Sequence, residues 1–419
     1  MKTKLSIEGE KFLINGKLVY SEIPGNSADV HGLLMNARFI QGIFDDKADP
    51  KRFARFGWRA WDPRRHTEDL IKALPLWYSY GLRAITVGFQ GGMPVFTIDN
   101  ASIDNNPFSE DGTAIDPAYL ERMESIFRAA DDLGMAVIVS ILYQGQINRL
   151  QDGLAVRNAI RSACRWLKDQ GFSNVIIEVA NEYGVGNFRM RPLLSDPESI
   201  SGLIELAREH SGGLPVGCSG AGMVMHSEVA RASDVILIHG NGAHREQYSR
   251  FVKKVKSWNL AKPILCNEDS PCITNLDVAF DTKTSWGYYN NLSKQEPPAD
   301  WTIANAEDLF FARRMARGLG FPLPSLPEEE QYVLDGLSCR HEYQGTRWVR
   351  LSAEYPETIN YVDFIQNGNL AGRSYQEPFY LNSEETWIQG GSPTKKGDTW
   401  RALVHLADGR TLEREVVVG

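Results

Sequence analysis

Eight near-continuous apolar runs, separated by amphipathic stretches, constrain this chain more than any other feature. The runs are HGLLMNARFIQG (31–42), LRAITVGFQGG (82–92), AVIVSILYQG (136–145), NVIIEVANE (174–182), LPVGCSG (214–220), DVILIHGNG (234–242), KPILCNED (262–269) and SWGYYNN (285–291). Strands this uniformly apolar are buried on both faces, as in a parallel sheet covered by helices. The intervening segments have helical periodicity. Two of them, PAYLERMESIFRAADDLG and LAVRNAIRSACRWLKDQG, end in the glycine that commonly closes a helix. Eight strand–helix units predict an α/β fold of the (β/α)8 TIM-barrel type over residues 31–320. An open doubly wound sheet is the competing reading. It is disfavoured because no glycine-rich phosphate fingerprint follows the first strand.

Two flanking regions differ in pattern. Residues 1–30 alternate apolar and polar positions around Asn15-Gly16, a strong hairpin signal, and are read as a hairpin capping one end of the barrel. FPLPSLPEEEQ (321–331), with three prolines and three acids, reads as a linker. Residues 332–419 carry short alternating runs broken by Asn367-Gly368 and Asp408-Gly409, the pattern of a small all-β sandwich. Packing is the first role expected of that region. Glycan binding, a share of the substrate cleft and homodimerisation are the others.

Formal charge is −8, from 45 basic and 53 acidic residues. This disfavours nucleic acid and anionic membrane surfaces as main partners, because both demand a basic footprint. Arg52–Arg65 is arginine-rich but reads as a solvated loop. The N-terminus lacks the apolar core of a signal peptide, and no run approaches the roughly 20 apolar residues of a membrane span. A cytoplasmic location is the expectation, with secretion or a periplasmic location open if a leader precedes this sequence. The five cysteines show no C-x-x-C spacing. Structural zinc and a disulfide framework are therefore not expected, and Cys266 and Cys272 are read as free thiols.

Active sites of such barrels lie at the C-terminal ends of the strands. The fourth run ends in Asn181-Glu182 and the seventh in Asn267-Glu268. Two carboxyl groups facing one central opening are what glycosidic-bond cleavage requires, one to protonate the leaving oxygen and one to attack or to activate water. Either glutamate alone reads as an ordinary salt-bridge partner or helix cap. Glu178 shares a strand face with Glu182 and is read as structural, paired with an arginine such as Arg38. His239 and Asn267 are candidate donors to Glu268, and a carboxylate held by donors stays ionised more easily. Gln90, Tyr143, Gln144, Tyr183, Trp286 and Tyr288 are expected at the mouth, with Trp58 and Trp61 from the long loop after the first strand. Asn241 completes the polar set. The long segments 43–66 and 93–116 could wall off one end of the cleft, which leans towards exo action.

EVANEYG resembles the E-x-x-N-E signature of clan A glycoside hydrolases, of which family 5 cellulases are the familiar case. The resemblance implies a retaining hydrolase of β-linked sugars that needs no cofactor, with Glu182 as acid/base and Glu268 as nucleophile. It also implies that Asn181 contacts the hydroxyl beside the anomeric carbon and that Trp286 is a sugar platform. His239 matches the clan's sixth-strand histidine. Asn241 replaces the tyrosine that family 5 carries there, and Tyr143-Gln144 stands where family 5 has a third-strand histidine, so another family of the clan is indicated. Two other readings stay open. One is a carbohydrate-binding barrel without turnover. The other is a metal-dependent sugar isomerase or aldolase holding a divalent ion on Glu182, Glu268 and His239. No metal-ligand motif such as HExxH supports the latter, and no G-x-S-x-G supports a serine triad.

Overall fold

A computed structural model describes residues 1–54, 60–92, 102–338 and 342–419. The chain opens with three antiparallel strands, β1 (Leu5–Glu8), β2 (Lys11–Ile14) and β3 (Lys17–Leu18). Asn15 and Gly16, at φ 52° and 76°, make the second turn. Both positions need the left-handed conformation that Asn and Gly tolerate best. The sequence predicts one hairpin; the extra strand arises because Gly9, at φ 58°, makes a first turn as well.

All eight expected segments carry a parallel strand: β4 (Asn36–Arg38), β5 (Ala84–Gly88), β6 (Ala136–Tyr143), β7 (Val175–Asn181), β8 (Val216–Gly217), β9 (Ile236–His239), β10 (Ile264–Glu268) and β11 (Gly287–Tyr288). Six form one sheet in the order β11-β4-β5-β6-β7-β8, and β9 and β10 form another. Backbone hydrogen bonds cross both gaps: Asp234 N–H donates to Val216 O at 2.7 Å, and Cys266 N–H donates to Ser285 O at 3.0 Å. The result is an α/β fold with helices packed outside the strands. The N-terminal meander sits at the N-terminal ends of the strands, held by Leu5 N–H on Ser173 O at 2.8 Å and by Thr3 N–H on Asp131 at 2.7 Å.

Five of the described helices start at an Asp or Asn cap. Asp62, Asp116, Asp152, Asp196 and Asn305 each accept a hydrogen bond from a first-turn N–H, and Pro63, Pro117 and Pro197 take the adjacent helical position. Such caps satisfy donors the helix itself leaves unpaired. Among the described residues, no helix is long and apolar enough to cross a membrane.

Beyond residue 331 the chain is β-rich. One antiparallel sheet contains Tyr332–Asp335, Arg350–Ala353 and Phe379–Tyr380, and the other contains Ile359–Gln366, Asn369–Ser374, Thr399–Leu406 and Thr411–Val417. Leu334, Leu351, Val362, Phe364, Trp400 and Val404 from the two sheets share one core. Segment 321–331 is not a free tether. Arg313 donates to Pro324 O at 2.6 Å, Gln331 to Leu326 O at 2.7 Å, and Phe321 packs against the main core.

Candidate active site

The ends of β7 and β10 bring two carboxyl groups together through two local irregularities. At the end of β7, Glu182 adopts φ 61°, and its N–H donates to Ser219 Oγ at 3.1 Å. A non-glycine residue in this conformation costs on the order of 1–3 kcal/mol and persists only where its surroundings impose it. In β10 the register shifts between Cys266 and Glu268, so that Glu268 pairs with His239 of β9. A bulge re-aims side chains. Here it lets consecutive residues both reach the interior: Asn267 Nδ2 donates to Glu178 Oε1 at 2.9 Å, while Glu268 reaches Arg38.

Three carboxylates and two cations share this buried space. Arg38 Nε lies 2.7 Å from Glu268 Oε2, and Asn241 Nδ2 donates to Glu268 Oε1 at 2.6 Å. His239 Nδ1 lies 3.0 Å from Glu182 Oε1 and 3.7 Å from Glu268 Oε2, and its Nε2 lies 3.8 Å from Glu178. Oxygens of Glu182 and Glu268 and a ring nitrogen of His239 all fall within 4.8 Å of one another. Burial alone would push His239 down, but Glu268, Glu178 and Glu182 outweigh it and raise the imidazole to about 10. His239 is therefore a cation at neutral pH, its Nδ1–H donating to Glu182 Oε1 at 3.0 Å. Burial works to raise Glu178, yet His239 and Arg38 prevail and hold it below the ordinary carboxylate value. Glu268 is raised by burial, while Arg38, His239 and Asn241 oppose the rise and favour the carboxylate form. Glu182 is the most open of the three, its side chain 19% exposed.

The structure gathers Arg38, Asn181, Glu182, His239, Asn241 and Glu268. Arg38 Nη2 donates to Asn181 Oδ1 at 2.9 Å, which orients that amide. Arg38 pairs with Glu268 rather than with Glu178, and Asn267 serves Glu178 rather than Glu268, reversing the two partnerships expected from sequence. Half-buried Tyr143 joins them: burial, then Glu182 and Glu268, raise its phenol to about 12.

The remaining candidates lie elsewhere. Trp286 is fully buried on the outer face of β11, its Nε1–H donating to Asp269 Oδ2 at 2.7 Å and its ring 5.7 Å from Phe311. Tyr288 shares that face, stacked on Phe311 with its hydroxyl on Asp308 at 2.9 Å. Neither can offer a ring to a sugar. Gln90 is buried and spent on Asn106 Oδ1 and on the Tyr143 N–H. Gln144 binds Asn187 of the next loop, Tyr183 is buried with its hydroxyl against His226, and Trp61 packs with Phe44 and Phe53. Trp58 lies outside the described residues, as does Cys339. Cys266 and Cys272 are free and buried.

Tyr289 is the residue that sequence reading missed. Its ring centroid is 5.3 Å from the Arg38 guanidinium, and burial, opposed by Arg38 and aided by Glu268, raises its phenol. Register was the available signal. Asn36 pairs with Gly287 and Ala37 with Tyr288, so Tyr289 continues the face of Arg38. A one-residue slip in reading the strand exchanges its two faces.

Glu182, His239 and Glu268 also form a cluster of suitable span for a metal ion. The surrounding charge does not fit one. A ligating histidine must be neutral, whereas His239 holds its proton to about 10, and the Arg38 guanidinium already occupies Glu268.

No protein-family model matches the chain, and no curated protein matches it. Solved structures similar to it include an FMN-binding β-glucuronidase from Facaelibacterium prausnitzii L2-6 (11% identity, 99% of this chain, 58% of that one, TM-score 0.46). A calcium binding mutant of Bacteroides uniformis β-glucuronidase 2 is also similar (11% identity, 100% and 47%, TM-score 0.48). So is an endo-1,4-β-mannanase from Rhizomucor miehei (11% identity, 75% and 99%, TM-score 0.48). The chain spans about half the length of the two glucuronidases. Likenesses at this level carry no argument, and the functional reading rests on the site itself.

Proposed function

We propose that this chain is a retaining glycoside hydrolase of the clan A type, cleaving β-linked sugars on a closed (β/α)8 barrel that carries a C-terminal immunoglobulin-like β-sandwich. The observation that carries the reading is the pair of glutamates at two strand ends, with oxygens within 4.8 Å. Retaining enzymes hold their carboxyl groups roughly 5–5.5 Å apart, whereas inverting ones leave about 6.5–9.5 Å for a water. Glu268, braced by Arg38 and Asn241, attacks the anomeric carbon while Glu182 gives its proton to the departing glycosidic oxygen. Glu182, now ionised, takes a proton from water, and that water displaces Glu268 and restores the configuration. Asn181, its carbonyl held by Arg38, has its N–H donors left for the neighbouring sugar hydroxyl. Half-buried Tyr143 is the aromatic group beside the sugar ring.

The test is a panel of aryl β-glycosides and β-linked oligosaccharides run on wild type, Glu182→Gln and Glu268→Gln, with the product anomer read by NMR. Retained configuration and two crippled variants are expected. Inversion, or undiminished turnover in either variant, overturns the assignment. The metal reading is checked in the same panel, since chelator leaves activity unchanged if the charge argument holds.

A further inference from the structure

The C-terminal region reaches the candidate active site through one hairpin, in which Ser383 pairs with Ile388 and Glu384 with Trp387. Its tip is Glu385-Thr386. Buried Thr386 accepts a hydrogen bond from the Gly242 N–H at 2.8 Å. Gly242 directly follows Asn241, the residue whose amide holds Glu268. A Cβ added at Gly242 would lie 2.5 Å from a Glu385 carboxylate oxygen and 3.9 Å from Trp387 Nε1. The hairpin's other strand is pinned by Ile388, buried with Leu292, Trp348 and Tyr380. Leu292 belongs to the segment following β11. Thr386 and Ile388 thus anchor the hairpin from both sides, leaving half-buried Trp387 and exposed Glu385 beside the loop that carries Asn241.

Packing does not account for these two side chains. Glu385 adopts φ 53°, where glycine or asparagine is cheaper than glutamate. Trp387 keeps part of its ring in solvent although Ile388 and Thr386 already seat the turn. A half-buried indole and an exposed carboxylate that flank one glycine match a pyranose, which offers a C–H face for stacking and hydroxyls that donate.

We propose that Glu385 and Trp387 form a second sugar-binding position, occupied by a glycan unit adjoining the one at Glu182 and Glu268. The inference rests on the glycosidase reading and adds a site built by the C-terminal region. It is tested with Trp387→Ala, Trp387→Phe and Glu385→Ala. The probes are p-nitrophenyl β-D-glucoside, galactoside and mannoside, and the β-1,4-linked tetraoses of glucose and mannose. For Trp387→Ala, kcat/KM on the cleaved tetraose falls about tenfold through KM, the scale of one aromatic contact. The aryl monoglycoside stays within about twofold of wild type, and Trp387→Phe recovers most of the tetraose loss. Equal losses on both substrate lengths, or none on either, overturn the proposal. If wild type cleaves nothing, the glycosidase reading fails separately. Tryptophan fluorescence titration with the same tetraoses then decides: weaker binding by Glu385→Ala and Trp387→Ala upholds the position, and unchanged or absent binding refutes it.

Discussion

Two clusters of buried charge sit in this molecule, one at the strand ends and one between the strand-and-helix body and the C-terminal sheets. In the second, Arg350 meets Glu307 at 2.9 Å, Arg313 meets Glu354 at 2.7 Å, Arg317 meets Glu354 at 3.0 Å and Lys294 meets Asp308 at 2.7 Å. Glu307, Asp308 and Glu354 there are shut from solvent and each faces at least one cation, Asp335 lies 3.6 Å from Arg350, and Glu307 and Asp308 stand on a regular helix. At the strand ends, three carboxylates share two cations, one of them keeps an open edge, and that residue sits on a left-handed backbone. Burial of charge is common to both and therefore marks neither as reactive. What separates them is an excess of carboxylate over cation at the strand ends. The cluster beside the C-terminal sheets holds two parts of the chain together; the one at the strand ends leaves Glu182 with an open edge.

The sharpest way to break this distinction is to cut each cluster in turn. Glu268→Gln lowers kcat on the order of 10⁴-fold if the residue is a nucleophile. A loss under tenfold in steady-state assays would move the reactive centre elsewhere. Glu182→Gln costs about 10²–10³-fold on substrates with poor leaving groups. The loss in kcat/KM shrinks towards wild type with a 2,4-dinitrophenyl leaving group, which needs no proton, while kcat stays low because the second step still lacks its base. An equal loss across leaving groups denies Glu182 the acid role. Arg350→Ala acts the other way: it strands Glu307 and lowers stability by about 3–5 kcal/mol in denaturant titration. Its kcat at low temperature stays near wild type, and a strong effect on kcat would erase the contrast between the clusters.

The smallest effect is pH-dependent. His239 is raised from 6.5 to about 10 by the three carboxylates around it. Its contribution to stability is complete below about 6.5, declines as pH rises and is gone above about 10. Wild type should therefore lose melting temperature across that window relative to His239→Asn. Parallel curves for the two proteins would mean that His239 is neutral in the fold.

Much of this was legible in the sequence, and the exceptions have physical causes. Continuous apolar runs located all eight strands because strands buried on two faces need little beyond hydrophobicity. Glu182 and Glu268 were legible because strand ends in this architecture converge. Alternation failed where the backbone departs from it. The shift in β10 turns Asn267 inward beside Glu268, and a period of two would separate them. The face of β11 was misread because SWGYYNN offers an aromatic ring on either side, and only pairing with Asn36 and Ala37 decides which one meets Arg38. The hairpin tip at Glu385 was not legible at all. Its approach to Gly242 joins residues more than a hundred positions apart, and no local pattern encodes such a meeting.

The same attachment bears on how the chain can be rearranged. Arg313 and Arg317 on the last helix hold Glu354, Pro324 is tied back to Arg313, and Thr386 holds the Gly242 loop. Severing the polypeptide at 321–331 would orphan several buried ions on one side and loosen the Asn241 loop on the other. The two parts should therefore melt in a single calorimetric transition. On that expectation the β-rich C-terminal region is an inseparable component rather than a cassette, and exchanging it would disturb the loop that carries Asn241.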